Sequence, residues 1–269
     1  MRVALGIAYR GSAYRGWQSQ PGGQTVQDHV DAALSAFAAQ PLHCVCAGRT
    51  DAGVHALNQV VHVDTPLDRS GEAWVRGTNR YLPADIAVQW CRFTDDVFHS
   101  RASAFGRRYA YILLESRVRA ALETGQVGWT FRRLDGEAMR AAAAPLVGEH
   151  DFSAFRSSEC QSPTPVKTLR SLAIVRRGNY WRFDFDGNAF LHHMIRNIMG
   201  CLVAVGSEQR DPHWLAEVLR GRDRSLAAAT FAPDGCGPKT AVLPAVQSSS
   251  RSVKTGNRFC SGGSQGFIR

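Results

Sequence analysis

Lysine is nearly missing from this chain. Of 269 residues, three are lysine (Lys167, Lys239 and Lys254), so almost all positive charge sits on arginine. Also missing is any apolar run near the roughly 18 residues of a membrane span. The start, Met1-Arg2-Val3-Ala4-Leu5-Gly6-Ile7, reads as a strand rather than a signal peptide. The expectation is a soluble, cytoplasmic protein with no membrane partner. The seven cysteines include no C-x-x-C pair, which argues against a disulfide framework and against a zinc site. His192 and His193 are adjacent, not spaced i, i+4 as helical metal ligands are. Neither a P-loop nor a G-x-G-x-x-G turn occurs. These absences favour chemistry that needs no cofactor and no metal.

What is present fits a folded body with a distinct end. Hydrophobic residues make up 44 % of the chain, enough for a core. The formal net charge is +9. Five basic residues and no acidic ones lie from Gly235 onward, so the first 234 residues are only mildly basic. An arginine surplus suits bidentate phosphate contacts and a polyanionic partner. Arginine and alanine together equally reflect a GC-rich genome.

Periodicity divides residues 1–234 into two similar passages. Val3, Leu5, Ile7 and Tyr9 alternate as a strand. Thr25-Val26-Gln27-Asp28 resembles a capping box and opens a helix through Phe37. Strands are expected at 42–47, 57–64 and 86–93, with a helix from Ser70 to about Tyr81, which Pro83 ends. In the second passage a strand is expected over 107–114 and a helix from the Asp135 cap to about Val147. A hairpin, 169–176 with 180–186, turns at Arg177-Gly178-Asn179. Asn188 is expected to cap a helix from Ala189 to about Val205, and Asp211-Pro212 to open another. The order implies an α+β fold of two halves meeting near residues 103–106, each with helices on one face of a mainly antiparallel sheet. The groove between two such sheets is a natural cleft.

Four constellations carry chemistry. Cys46-Ala47-Gly48-Arg49-Thr50-Asp51-Ala52-Gly53-Val54-His55-Ala56 holds Asp51 on a glycine-flanked turn between two strands. Such a carboxylate is a catalytic candidate, although the same pattern also serves as an ordinary Asx turn. Tyr9-Arg10-Gly11-Ser12-Ala13-Tyr14-Arg15-Gly16-Trp17 interleaves aromatics with arginines. There Trp17 would stack on an unpaired base while Arg10 and Arg15 hold phosphates, or Trp17 is simply buried under a turn. In Arg107-Arg108-Tyr109-Ala110-Tyr111, a strand puts Arg107, Tyr109 and Tyr111 on one face. Finally, Arg196 sits in a strongly apolar helix, where a buried guanidinium needs an anion, and Asp51 is a candidate.

Together these segments resemble the tRNA pseudouridine synthase A family over roughly residues 3–235. The resemblance rests on Gly16-Trp17-Gln18 with Thr25-Val26-Gln27, on Gly48–Ala56, and on Asn79-x-Tyr81-Leu82-Pro83. It also rests on Arg107-Arg108-Tyr109-x-Tyr111, Asp151-Phe152-x-x-Phe155-Arg156 and Phe190-Leu191-His192-His193-Met194-Ile195-Arg196-Asn197. It implies an isomerase, working without a cofactor as a homodimer, that acts on uridines 38, 39 and 40 of the tRNA anticodon stem-loop. It implies two ferredoxin-like halves, residues 1–105 and 106–235, joined into a continuous sheet around an RNA-binding cleft. The family's essential aspartate falls on Asp51, its active-site tyrosine on Tyr109 and the aspartate's arginine partner on Arg196. Arg49 matches an RNA-contacting position, and Arg10, Arg15, Trp17 and Arg107 join it as expected RNA contacts. The roles of His55, His192 and His193 stay open.

Beyond Gly235 the likeness stops. The family continues with a hydrophobic closing strand, whereas Cys236-Gly237-Pro238-Lys239-Thr240 places a proline where a central strand would run. Residues 236–269 therefore read as an atypical tail, disordered or translated in a shifted frame, which would leave a sheet edge open near Asp51. Two other functions follow: a tRNA-binding protein impaired in turnover, or a retaining glycosidase. The second needs another carboxylate about 5 Å from Asp51.

Overall fold

A computed structural model describes the backbone of residues 1–242 and the side chains of residues 1–237. The first half contains β1 (Arg2–Tyr9), α1 (Val26–Ala38), β2 (Val45–Cys46), β3 (Ala56–Asp64), α2 (Gly71–Asn79) and β4 (Ile86–Thr94). Its sheet order is β2-β3-β1-β4 with every neighbouring pair antiparallel. The second half contains β5 (Gly106–Glu115), β6 (Gly128–Thr130), α3 (Gly136–Ala143), β7 (Gly148–Asp151), β8 (Val166–Arg177), β9 (Tyr180–Gly187), α4 (Met194–Gly206), α5 (Trp214–Gly221) and β10 (Cys236–Val242). Its order is β10-β5-β9-β8-β7, with β6 added parallel to β5. Leaving out β6 and β7, the two halves share one split β-α-β arrangement. In it, β10 takes the place that β4 takes in the first half.

Local chemistry sets most of these elements. Thr25 and Asp28 form the reciprocal capping box at the start of α1. Ser70 Oγ accepts from Ala73 N–H and starts α2, and Asp135 accepts from Glu137 and Ala138 N–H to start α3. Each half has its own apolar core. Leu5, Ile7, Trp17, Leu34 and Trp74 fill the first, and Leu113, Phe152, Phe155, Phe183 and Leu202 fill the second.

Three expectations change. The chain past Gly235 forms a strand over Cys236–Val242, paired antiparallel with β5, so this sheet edge is closed rather than open. Pro238 is tolerated because β10 is an edge strand, and its register with β5 shifts between Pro238 and Thr240. Residues 243–269, the rest of the expected tail, lie outside the described residues. The sheet is built as two hydrogen-bonded sheets, with β3 lying against β10 and His55 N–H donating to Cys236 O across 3.2 Å. Finally, the helix expected from Ala189 begins only at Met194, because Asn188 Oδ1 accepts from Thr168 and Ala189 N–H and holds the chain against β8.

Candidate active site

The expected strand at 42–47 pairs with β3 only through Val45 and Cys46. The chain then leaves the sheet as the turn carrying Asp51. Trp17 N–H donates to Thr50 O, and Thr50 Oγ1 shares a 2.8 Å hydrogen bond with Tyr9 Oη. Gln59 Nε2 donates to Gly48 O. Val54 N–H donates to Asp51 O over the turn, where Gly53 has φ +80°. Gly16, at φ +86°, lies so close that a Cβ would stand 2.7 Å from Thr50 O. Gly11 packs directly on the Val54 carbonyl. Val54 itself is buried in the core of the other half, which pins the turn across the interface. His55 adds a second pin. Gly11 N–H donates to its Nδ1, so Nε2 carries the proton and donates to Asp234 O.

Opposite the turn lies the start of α4. His192 Nε2 is 3.2 Å from Asp51 Oδ1, and His193 Nε2 is 3.4 Å from Oδ2. Arg196 Nη1 is also 3.4 Å from Oδ2, while its Nε donates to Phe231 O at 2.9 Å. The Asp51–Arg196 pair expected from the sequence is therefore assembled, and the histidines join it. Adjacent residues ordinarily point apart, but His193 adopts the left-handed region at φ 62°. That turn brings the two rings to 4.1 Å between centroids, facing one carboxylate. Burial holds the His193 imidazole below its ordinary value, against the pull of Asp51; His192 and Arg196 lower it further. The ligand atoms of Asp51, His192 and His193 all lie within 4.8 Å of one another, so these three residues could hold a metal ion.

These groups line a cleft of about 1110 Å³ between the halves, larger than an ordinary small-molecule pocket. Tyr109 lines it, its ring edge-on to Phe190 at 5.2 Å. Burial raises its phenol far above the ordinary range, and the nearby Asp51 carboxylate adds to this. Tyr109 is thus a neutral phenol at neutral pH. Burial pushes the Cys236 thiol up to about 12, helped by Asp51, so Cys236 is an uncharged wall.

The expected RNA contacts divide. Arg15 and Arg49 line the cleft, and Arg49 Nη1 reaches Gln161 Oε1 across it at 3.4 Å. Arg107 also lines it, but its guanidinium is occupied by Ala47 O and Asn188 O, tying the two halves together. Arg10 points elsewhere, toward Thr124 O. Trp17 is fully buried against Tyr9 in the first core and offers no surface to a base. Sequence reading missed Glu159, Cys160 and Phe190 in the cleft wall. Phe190 stands in the segment of the resemblance beside the two histidines, whereas no sequence signal pointed to Glu159 or Cys160.

The family described as tRNA pseudouridine synthase matches residues 6–101 and 142–236. A tRNA pseudouridine synthase A of Methylibium petroleiphilum is 68 % identical over 235 residues, covering 87 % of this chain and 90 % of that protein. Proteins of the same name from Paracidovorax citrulli and Polaromonas naphthalenivorans are 60 % and 62 % identical, each over 87 % of this chain and 91 % and 90 % of their own length. Among solved structures, a chain of a Cbf5-Nop10-Gar1 complex aligns over 87 % of this chain and 47 % of its own. Its TM-score is 0.39 at 10 % identity, too distant to carry weight. With the match running through both halves and ending on β10, the chain belongs to the tRNA pseudouridine synthase A family.

Proposed function

We propose that this protein isomerises uridine to pseudouridine in tRNA, at positions 38, 39 and 40 of the anticodon stem-loop, with Asp51 as its catalytic carboxylate. The reaction breaks the C1′–N1 bond, turns the base and joins C5 to C1′. C5 loses a proton and N1 gains one, so atoms and electrons balance without an oxidant or reductant. Asp51 acts either as the nucleophile at C1′ or as a base on the sugar. The observation that carries this reading is one carboxylate at the base of a large cleft, its side chain 23 % exposed, with three nitrogen groups aimed at its oxygens. Such donors hold the carboxylate in place and stabilise its charge when it leaves C1′.

The remaining roles follow from position. Tyr109, neutral and beside Phe190, is the platform for the turned-out base. Arg15 and Arg49, exposed at the cleft, hold phosphates. The protein works as a cytoplasmic homodimer. Exposed large apolar side chains, Val118, Leu122 and Phe131 among them, are available for a second copy to cover. Among the described residues no helix is long and apolar enough to cross a membrane. The reading of an impaired binder finds no support, because β10 closes the edge whose loss motivated it.

Pseudouridine mapping tests the proposal. Unmodified tRNA with uridines in the lower anticodon stem is incubated with wild type and with Asp51→Asn. Wild type is expected to convert them; the variant is expected to lose at least about 10³-fold in rate while binding tRNA within about twofold. Turnover by Asp51→Asn would remove Asp51 from its role.

A further inference from the structure

The His192-His193 pair was silent in the sequence as a metal motif, yet both rings meet one carboxylate in the fold. In a tetrahedral zinc site, bonds of about 2.0–2.1 Å put neighbouring ligand atoms about 3.3–3.4 Å apart. Here His192 Nε2 stands 3.2 Å from one Asp51 oxygen and His193 Nε2 3.4 Å from the other. One ligand atom from each of the three residues falls within 4.8 Å of the others, so small side-chain rotations gather all three on one ion. Two imidazole nitrogens and one carboxylate are the donor set of catalytic-type zinc sites, with the fourth position open to solvent.

The scaffold is rigid on both sides. The carboxylate is set by the Thr50–Tyr9 hydrogen bond and by Val54 buried in the opposite core. The imidazoles are set by the left-handed turn at His193, and by His192 N–H donating to Cys160 Sγ.

We propose that Asp51, His192 and His193 form a binding site for a borderline-soft divalent cation of the zinc class, and that its occupation blocks the carboxylate from RNA. The blocking claim rests on the reading of Asp51 as the catalytic group; the cation site does not. Selectivity follows from the donors. Imidazole nitrogen suits zinc and cobalt, whereas magnesium and calcium prefer all-oxygen shells. Magnesium present to fold tRNA therefore leaves the site free. One feature opposes binding. Arg196 Nη1 stands 3.4 Å from Asp51 Oδ2 and repels a cation placed there. Affinity is accordingly weaker than that of a four-ligand structural zinc site, and loading is reversible.

The test uses the whole chain without RNA. Zinc chloride is titrated calorimetrically into metal-free protein, with magnesium chloride as comparison. Wild type is expected to take one zinc that Cys160→Ser retains. His192→Ala and His193→Asn are each expected to weaken binding at least tenfold. Asparagine is chosen at 193 because it accepts the left-handed backbone that alanine resists. Zinc-induced shifts of the His192 and His193 imidazole resonances in the unsubstituted protein read the same contacts if a variant fails to fold. Equal zinc affinity in both histidine variants, or imidazole resonances that ignore zinc, overturns the site.

In the activity arm, zinc is expected to suppress pseudouridine formation in step with occupancy, and a chelator to restore it. Zinc bound through the histidines with undiminished turnover overturns the blocking claim. A failed reading of Asp51 shows separately, as turnover by Asp51→Asn in metal-free buffer.

Discussion

The two halves share a strand order but use corresponding places differently. In the second half β8 runs 12 residues and makes a long hairpin with β9. Its counterpart β2 has two residues, and the chain freed from the sheet becomes the Asp51 turn. The helices differ in the same sense. α2 starts on a Ser70 side-chain cap, whereas α4 starts at His193 without a side-chain cap among the described residues. At the end of β2 and at the start of α4, where the ladder stops short and the side-chain cap is missing, the chain turns its side chains into the cleft.

Substitutions can break that contrast. The largest effect after loss of Asp51 is expected from Arg196→Ala, which leaves a half-buried carboxylate without its guanidinium and Phe231 O without its donor. Roughly 3 kcal/mol of stability and at least about 10²-fold in turnover should go, read by chemical denaturation and pseudouridine assay. Unchanged values in both would mean the pair is ornamental.

Next comes a matched glycine pair. Gly11→Ala collides with the Val54 backbone and should cost about 2 kcal/mol and slow turnover. Gly178→Ala, in the hairpin turn at φ +57° with open space around it, should cost about 1 kcal/mol and spare activity. Equal effects on activity would deny the Asp51 turn its special placement.

A third prediction concerns pH. His62 is buried in the first sheet and accepts from Ser100 N–H; burial lowers its pKa to about 4, with Arg2 and His99 helping. The unfolded chain titrates near 6.5. Between those values the unfolded state binds the extra proton, so stability falls as pH drops from about 6.5 to about 4. His62 contributes up to about 1.4 kcal/mol per pH unit to that fall. Denaturation midpoints of wild type and His62→Asn across this window check it: the variant's slope should be shallower.

The smallest effect is Ser70→Ala, expected to remove about 1 kcal/mol of stability with turnover unchanged, since that cap serves only α2.

Much of this was legible beforehand. The Thr25–Asp28 box, the Ser70 and Asp135 caps and the Arg177–Asn179 hairpin turn all act within three or four residues, and each formed where its local pattern put it. Asp51 on its turn was legible for the same reason. Trp17 was not, because interleaved aromatics and arginines look alike whether the ring stacks on a base or fills a core. The α4 start was misplaced by five residues because Asn188 had two competing uses, and a hydrogen bond to Thr168, 20 residues away in sequence, decided between them. β10 was hidden because its pairing depends on a neighbour, β5, more than 100 residues earlier.

By itself, then, the sequence determined most of the helices and longer strands, their two-part order and the placing of Asp51 on a turn between two strands, since propensity, capping and periodicity act over a few residues. Only the tertiary structure decided which groups reach that carboxylate. His192, His193 and Arg196 lie more than 140 residues from Asp51. Their approach to within 3.2–3.4 Å depends on Val54 crossing into the second core and on one left-handed residue turning two rings the same way. Contacts that short are set by close packing of two preformed cores, which no local pattern encodes.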